Sequence, residues 1–146
     1  METKYSIYKQ NYELLVEKIS QDFNLTINLS YDVCDEYYPY LKLIFIDKKQ
    51  NWRGRYYSLL HELGHHIIFS NSSYRENYYP GFKKFFGSNY SKAEYVCLVN
   101  EELEAWKFGK MYAESNNLKI DRFYFGQITV DNVMTHMLSG IKKLYF

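Results

Sequence analysis

The motif His61-Glu62-Leu63-Gly64-His65 is the part of the sequence whose residue types and spacing indicate chemistry. It is an HExxH pattern in a stretch of helical apolar periodicity, so both histidines project from one helix face and can present imidazole nitrogens to one Zn²⁺ at ~2.0–2.1 Å. Glu62 lies beside such an ion rather than on it, where its carboxylate can accept a proton from an attacking water. The pattern predicts two metal ligands, His61 and His65, and a catalytic base, Glu62.

Two neighbouring residues need a separate explanation. His66 is rotated by ~100° from His65 on a helix, so it cannot easily join the same coordination sphere, and we predict a structural or supporting role for it. Gly64 costs a helix ~1 kcal/mol relative to Ala. A close approach of backbone or of a metal would explain this glycine.

A catalytic zinc normally has three protein ligands and an open position, so a third ligand is required. The helix that begins near residue 91 offers Glu101, Glu102 and Glu104. At ~100° per residue, Glu101 and Glu102 flank the apolar face of that helix, whereas Glu104 lies ~100° from its centre. The periodicity favours Glu101 or Glu102 and does not choose between them.

The helices and strands that surround the motif can be predicted from periodicity and from turn and capping signals. In the first part of the chain we predict a helix over residues 6–23 with Leu14, Leu15 and Ile19 on its apolar face. A strand over residues 24–31, a loop over 32–39 and a second strand over 40–47 follow.

The second part of the chain is predicted to be helical apart from one long loop. Asn51 caps the motif helix, which ends near Ser70, and residues 71–89 form the loop. Ser91-Lys-Ala-Glu94 has the form of a capping box and opens a helix to about Ser115. Asp131 caps a last helix. The predicted class is α+β: one domain over residues 1–146, mainly helical, with a short β-sheet beside the HExxH helix.

Composition and charge exclude several classes of protein. The chain has 18 Lys and Arg against 17 Asp and Glu, a net charge of +1, so it lacks the basic excess that favours direct nucleic-acid binding. No apolar stretch resembles a signal sequence or a membrane span, and we predict a cytoplasmic protein. Cys34 and Cys97 lack CxxC spacing, which predicts two reduced, packed thiols.

The lead-in Arg55-Tyr-Tyr-Ser-Leu-Leu-His-Glu-Leu-Gly-His-His-Ile resembles the ImmA/IrrE family of zinc metallopeptidases. In that family Arg, an aromatic residue, Ser or Thr and two apolar positions precede HELGH. The stretch Glu102-Leu-Glu-Ala-Trp-Lys-Phe-Gly is similar to the family's later helix, in which a glutamate three residues before Ala is the third ligand. The resemblance covers roughly residues 40–70 and 94–113.

The resemblance implies a zincin-like fold with His61, His65 and Glu102 as zinc ligands, Glu62 as catalytic base and the strand over residues 43–47 as the edge strand of the sheet at the active site. It also implies a cytoplasmic regulatory protease of a bacterial mobile element or prophage that cleaves a DNA-binding transcriptional repressor. One departure is Trp106: the family often has Asn there, and related HExxH peptidases have an Asp that orients a ligand histidine. The family's frequent Leu-Leu-Met-Pro run is also absent.

Peptide hydrolysis needs a donor for the oxyanion of the tetrahedral intermediate and a surface for the substrate. His136 on the last helix is the histidine candidate for this donor, with Tyr56, Tyr57 or Tyr95 as alternatives. An extended substrate is predicted to pair with the exposed edge of the strand over residues 43–46.

Two other functions compete with this hypothesis. A SprT-like protease acting at DNA is disfavoured because a chain of net charge +1 lacks the basic surface expected of it. A catalytically silent zinc module could bind a protein partner through the Tyr-rich residues 74–90. The presence of Glu62 argues against this second alternative, because a structural zinc site needs no proton acceptor and usually closes its fourth position with another ligand.

Overall fold

The computed structural model describes residues 4–71 and 91–145 of the chain. The described part has an α+β architecture, as predicted, with four α-helices and one three-stranded sheet. The elements in chain order are α1 (Lys4–Phe23), β1 (Thr26–Ser30), β2 (Glu36–Tyr38), a 3₁₀ turn (Pro39–Leu41), β3 (Leu43–Asp47), α2 (Trp52–Ser70), α3 (Lys92–Ser115) and α4 (Arg122–Tyr145). The loop predicted for residues 71–89 lies outside the described residues from residue 72 onward, as do all of the Tyr-rich residues 74–90.

The sheet has the strand order β1-β3-β2, so β3 is its central strand. β1 pairs with β3 in parallel and β2 pairs with it antiparallel, so that Ile27 and Tyr37 both oppose Ile44. The prediction that the strand over residues 43–46 has an exposed edge is therefore wrong. The backbone of β3 pairs with β1 on one side and with β2 on the other. The edge strands of the sheet are therefore β1 and β2.

The predicted loop over residues 32–39 is also wrong, because it contains β2. Three residues are too few to show alternation, and this strand depends on pairing with β3 rather than on its own pattern. The second strand begins at Leu43 and not at residue 40. Pro39 opens a 3₁₀ turn, and Lys42 then takes a left-handed conformation (φ 49°) that separates the turn from the strand.

The predicted helix α1 is confirmed, with Leu15 and Ile19 fully buried. Leu14 is wrongly placed on the buried face, since it is 43% exposed. Asn51 caps α2 as predicted: its side-chain oxygen accepts a hydrogen bond of 2.9 Å from the backbone N–H of Gly54. α2 ends at Ser70, also as predicted.

The capping box at the start of α3 is confirmed. The Glu94 N–H donates to Ser91 Oγ at 3.3 Å, and the Ser91 N–H donates to Glu94 Oε2 at 2.7 Å. The predicted cap of α4 at Asp131 is wrong, because this helix begins at Arg122 and Asp121 accepts the Tyr124 N–H at 3.1 Å. Gly, Thr and Val residues weaken helix propensity at residues 126–130, and tertiary packing of the helix outweighs that preference.

The contact between α2 and α3 is made by small residues. A Cβ on Gly64 would lie 1.8 Å from the carbonyl oxygen of Ala105, and a Cβ on Gly109 would lie 2.1 Å from that of Leu60. Gly64 is thus explained by close approach of a neighbouring backbone, one of the two explanations expected from the sequence. The two helices meet in antiparallel order, and residues 101–106 come to face residues 61–65.

Substituting Gly64 with Ala is expected to lower the free energy of unfolding by about 1–3 kcal/mol or more, because the added methyl group overlaps the α3 backbone. Gly126→Ala is the matched control, since a Cβ there meets nothing within 4 Å and the change raises helix propensity by up to ~1 kcal/mol. Urea denaturation of both variants measures the difference. Equal stability of the two variants would contradict the close packing of α2 on α3.

Two further expectations can be compared with the described residues. None of their helices combines the length and apolar character required to cross a bilayer. Both cysteines are free, but Cys34 is exposed and Cys97 half-buried. The prediction of packed thiols is therefore wrong for Cys34, which lies in the segment leading into β2.

Candidate metal centre

The HExxH segment lies in the interior of the fold because α2 is covered by α1, α3 and the sheet. Leu59, Leu60 and Leu63 are fully buried, and His61 and Glu62 are each 6% exposed. Because α2 is buried on several sides, apolar residues both precede and follow the motif, and the helix has no clear polar face. It also restricts the side chains that can reach the histidines to a few residues of the neighbouring helices.

The structure brings together His61, His65 and Glu102 as a group that could hold a metal ion. One ligand atom from each residue lies within 4.8 Å of the other two. The Nε2 atoms of the two histidines are 3.1 Å apart, and each lies close to a Glu102 carboxylate oxygen, at 3.0 Å for His61 and 3.4 Å for His65. The first and last residues of the motif therefore converge with one glutamate of α3.

The donor atoms of this group fit a divalent cation. Two imidazole nitrogens and one carboxylate oxygen are a donor set that zinc accepts. The buried Oε2 atom of Glu102 has no hydrogen-bond partner among the described residues, although the Nε2 atom of His61 is 3.0 Å away. A buried carboxylate oxygen without a donor is costly, and a cation between these three residues would satisfy it.

Glu101 lies beside the triad in a different role. Its Oε1 atom is 3.4 Å from Nδ1 of His65, the nitrogen on the opposite side of the ring from the ligand atom. A carboxylate at this position fixes the tautomer and the ring orientation of a metal-binding histidine. Periodicity left Glu101 and Glu102 as alternatives, and both reach the site: Glu102 lies at the Nε2 atoms of the two histidines and Glu101 at Nδ1 of His65. Glu104 is ion-paired with Lys107 at 3.5 Å instead.

The members of the triad differ in their electrostatics. Burial lowers the pKa of His61 to about 4, so its imidazole is neutral at neutral pH, as a metal ligand must be. Burial acts to lower the pKa of His65 too, but the carboxylates of Glu102, Glu101 and Glu62 together outweigh burial and raise that pKa well above its usual value. The two imidazoles in turn hold the pKa of Glu102 well below its ordinary value, against the opposite effect of burial. A proton and a cation therefore compete for His65.

Glu62 is buried next to the triad and lines the same cleft. Burial raises the pKa of its carboxyl group to about 8, against the opposing effect of His65. A cation held by the neighbouring histidines favours the ionised carboxylate, the form that accepts a proton. Glu62 is not one of the three residues that could hold an ion, and it lies beside them in the cleft.

His66 has the structural role expected from its rotation on the helix. It is buried, and its Nδ1 atom lies 2.8 Å from the hydroxyl oxygen of Tyr37. The rings of Tyr37 and Phe23 pack edge-on against it. His66 therefore attaches β2 to α2 and holds the strand beside the triad.

The turn between β3 and α2 is held by polar side chains that include Arg55 of the lead-in sequence. Arg55 donates to the carbonyl oxygens of Gln50 at 2.9 Å and of Lys48 at 2.5 Å. Gln50 donates to both carboxylate oxygens of Asp35, at 2.7 and 2.8 Å, and accepts from the Ser58 hydroxyl. These contacts connect the segment before β2 to the motif helix and fix one wall of the site.

A cleft of about 980 Å³ opens at the triad. The segment from Val33 to Leu41, which contains β2, forms one wall, and residues of α3 and α4 form the other. Seven acidic residues line it: Asp35, Glu36, Asp47, Glu62, Glu101, Glu102 and Asp131. Among the described residues no Lys or Arg lines this cleft, so it is acidic in a chain that is nearly neutral overall.

The four candidates for the oxyanion donor lie at different places in the structure, and His136 is the one that lines the cleft. His136 lines the cleft, with Nε2 3.5 Å from Oε2 of Glu102 and 43% of its side chain exposed. Tyr56 and Tyr57 are fully buried elsewhere and hold the segment before α4: the Tyr56 hydroxyl donates to the Lys119 carbonyl, and the Tyr57 hydroxyl accepts the Asp121 N–H. Tyr95 packs against Gly140.

Trp106 contacts the triad, and this contact was not predicted from the sequence. Its ring stacks on that of His61, with ring centroids 4.4 Å apart and an interplanar angle of 25°. Its position one helical turn after Glu102 could have indicated this contact, since residues at i and i+4 share a helix face. The sequence showed only that the expected Asn or Asp is missing there.

Comparisons of the chain with protein-family models, with curated proteins and with solved structures find no match to any of them. Function is therefore inferred from the motif and from the geometry of the site.

Proposed function

We propose that this protein is a zinc-dependent metallopeptidase that hydrolyses peptide bonds of a protein partner. The observation that carries the proposal is the convergence of His61, His65 and Glu102, with Glu62 beside them, in one cleft. Three protein ligands leave a coordination position open, which is typical of catalytic rather than structural zinc sites. A structural site would also have no use for a buried carboxylic acid at position 62.

When bound, zinc polarises the scissile carbonyl and lowers the pKa of water. Glu62 accepts the proton of the attacking water, and the resulting carboxylic acid then delivers it to the leaving amine. Glu101 orients His65 through its Nδ1 atom. His136 is the donor that we propose for the developing oxyanion, because it is the member of the four sequence candidates that lines the cleft.

The substrate is proposed to be an extended peptide that lies in the cleft alongside β2. This strand lines the cleft, whereas β3 is paired on both sides and has no edge to offer. Extended peptides bind to sheets through backbone hydrogen bonds and place alternate side chains against the walls. The acidic lining favours substrates with Lys or Arg near the cleaved bond.

The sequence resemblance supports a narrower assignment by analogy. A zincin-like protease of the ImmA/IrrE type would act in the cytoplasm and cleave a DNA-binding repressor of a mobile element or prophage. The lead-in Arg55 and the glutamate at position 102 are the residues on which this analogy depends.

Removing the metal provides the experiment that tests the proposed function. The zinc-loaded protein is expected to generate new N-termini in a bacterial lysate, and chelator treatment is expected to abolish them until Zn²⁺ is restored. N-terminal peptide mapping by mass spectrometry is the measurement. Identical N-termini with and without zinc would favour a catalytically silent zinc module.

In the same assay, His136→Gln is expected to slow cleavage at unchanged zinc content.

A further inference from the structure

The two histidines of the triad are held from α3 in different ways. Residues of α3 oppose α2 in antiparallel order, so that Glu101 faces His65 and Trp106 faces His61. His65 has a carboxylate at its Nδ1 atom, at 3.4 Å. The Nδ1 atom of His61 is buried and has no hydrogen-bond partner among the described residues, so the ring is not oriented by a hydrogen bond at this nitrogen, as that of His65 is.

Trp106 is the residue of α3 that packs against the face of the His61 ring. Its indole is 3% exposed and lies nearly parallel to the imidazole, at 4.4 Å and 25°. A flat ring packed against one face of an imidazole restricts rotation about the Cβ–Cγ bond, because turning the imidazole would drive its edge into the indole. The position of Nε2 is thereby restricted as well.

The indole is itself held from α4. Its Nε1–H group donates to the side-chain oxygen of Asn132 at 3.1 Å, and Phe125 packs edge-on against it at 5.6 Å and 78°. His61 on α2 together with Asn132 and Phe125 on α4 therefore determine the plane of the Trp106 ring. The connection runs from Asn132 through Trp106 to His61 and makes α4 part of the support for the metal centre.

We infer that Trp106 is a positioning residue that aims the Nε2 atom of His61 at the metal by ring stacking, and that Asn132 holds Trp106 for this task. The inference rests on the metal site of the proposed function and adds a role for two residues that are not ligands. Stacking here replaces the hydrogen bond that usually orients a metal-binding histidine.

The test compares Zn²⁺ dissociation constants, measured by chelator competition, with the thermal stability of each protein without zinc. Trp106→Leu keeps apolar bulk but removes the ring, and it is expected to raise the dissociation constant by about 10- to 100-fold. Trp106→Phe keeps a ring that can stack and is expected to retain most of the affinity. Asn132→Ala leaves the indole in place without its anchor and is expected to give an intermediate loss.

A matched control distinguishes positioning from a general loss of packing. Tyr12→Leu removes a buried aromatic ring of α1 that does not line the cleft, and it is expected to lower stability without changing zinc affinity. In a Trp52→Phe background, Trp106 is the remaining tryptophan, and its fluorescence is expected to change on titration with Zn²⁺. This signal reports the contact with His61 independently of activity.

The outcomes separate this inference from the proposed function. Failure of the unmodified protein to bind Zn²⁺ would overturn both. Wild-type affinity in a folded Trp106→Leu variant, or an equal loss in Tyr12→Leu, would overturn the positioning role alone. If Trp106→Leu does not fold, unchanged affinity in Asn132→Ala together with Trp106 fluorescence that is insensitive to zinc would overturn it instead.

Discussion

Exchanging Glu62 for Gln is expected to abolish peptide cleavage while zinc remains bound at one ion per chain. Gln has nearly the same shape as Glu and is tolerated in the same buried space, but its amide cannot accept a proton from the attacking water. General acid–base catalysis typically contributes about 10²- to 10⁴-fold, and we expect a loss in kcat of at least that size. The measurement is the rate of appearance of new N-termini, with zinc content determined on the same samples by metal analysis.

The matched control for this change is Glu114→Gln, an identical exchange at an exposed position near the end of α3. It is expected to leave both cleavage and zinc content unchanged. Undiminished cleavage by Glu62→Gln would reject the assignment of the base. Loss of zinc from Glu62→Gln would show instead that this carboxylate contributes to metal binding, contrary to its position beside the triad.

Replacing the three glutamates of α3 one at a time is expected to give three different zinc affinities. Glu102→Ala removes one of the three proposed ligands and leaves two histidines, so the protein is expected to lose stoichiometric zinc. Glu101→Ala removes the carboxylate at Nδ1 of His65 and is expected to weaken binding by about 10- to 100-fold. Glu104→Ala is expected to have no effect, because Glu104 is paired with Lys107 at 3.5 Å.

The order of the three variants is the sensitive result. Zinc loss greater in Glu101→Ala than in Glu102→Ala would exchange the roles of ligand and orienting carboxylate. Loss of zinc only in Glu104→Ala would mean that α3 is rotated about its axis so that Glu104, rather than Glu101 and Glu102, faces the two histidines. Circular dichroism of each variant without zinc verifies that the helices have formed.

Local patterns in the sequence were sufficient to predict the parts of the site that lie within single helices. The spacing of His61 and His65 places both on one face of α2 wherever that helix packs, because the geometry of an α-helix is fixed by its backbone. The Asn51 cap and the Ser91–Glu94 capping box likewise depend on hydrogen bonds within a few residues. Local interactions of this kind can be read without knowledge of the fold, and they were predicted correctly.

Features that depend on contacts between distant segments could not be predicted from local sequence patterns. Periodicity placed Glu101 and Glu102 equally near α2, and the rotation of α3 that separates them is set by Gly64 against Ala105 and by Gly109 against Leu60. The short strand β2 forms because β3 supplies its hydrogen bonds and His66 holds Tyr37. α4 begins at Arg122 despite weak helix formers, because burial of residues such as Phe125 outweighs propensity.

Trp106 illustrates why the pattern alone was insufficient. The sequence shows a tryptophan one turn after a glutamate, which is as consistent with an ordinary core residue as with a partner for a metal-binding histidine. Only the antiparallel packing of α3 on α2 places its ring on His61, and only α4 supplies Asn132. Backbone geometry fixes which residues of one helix share a face, whereas close packing between helices decides what that face meets.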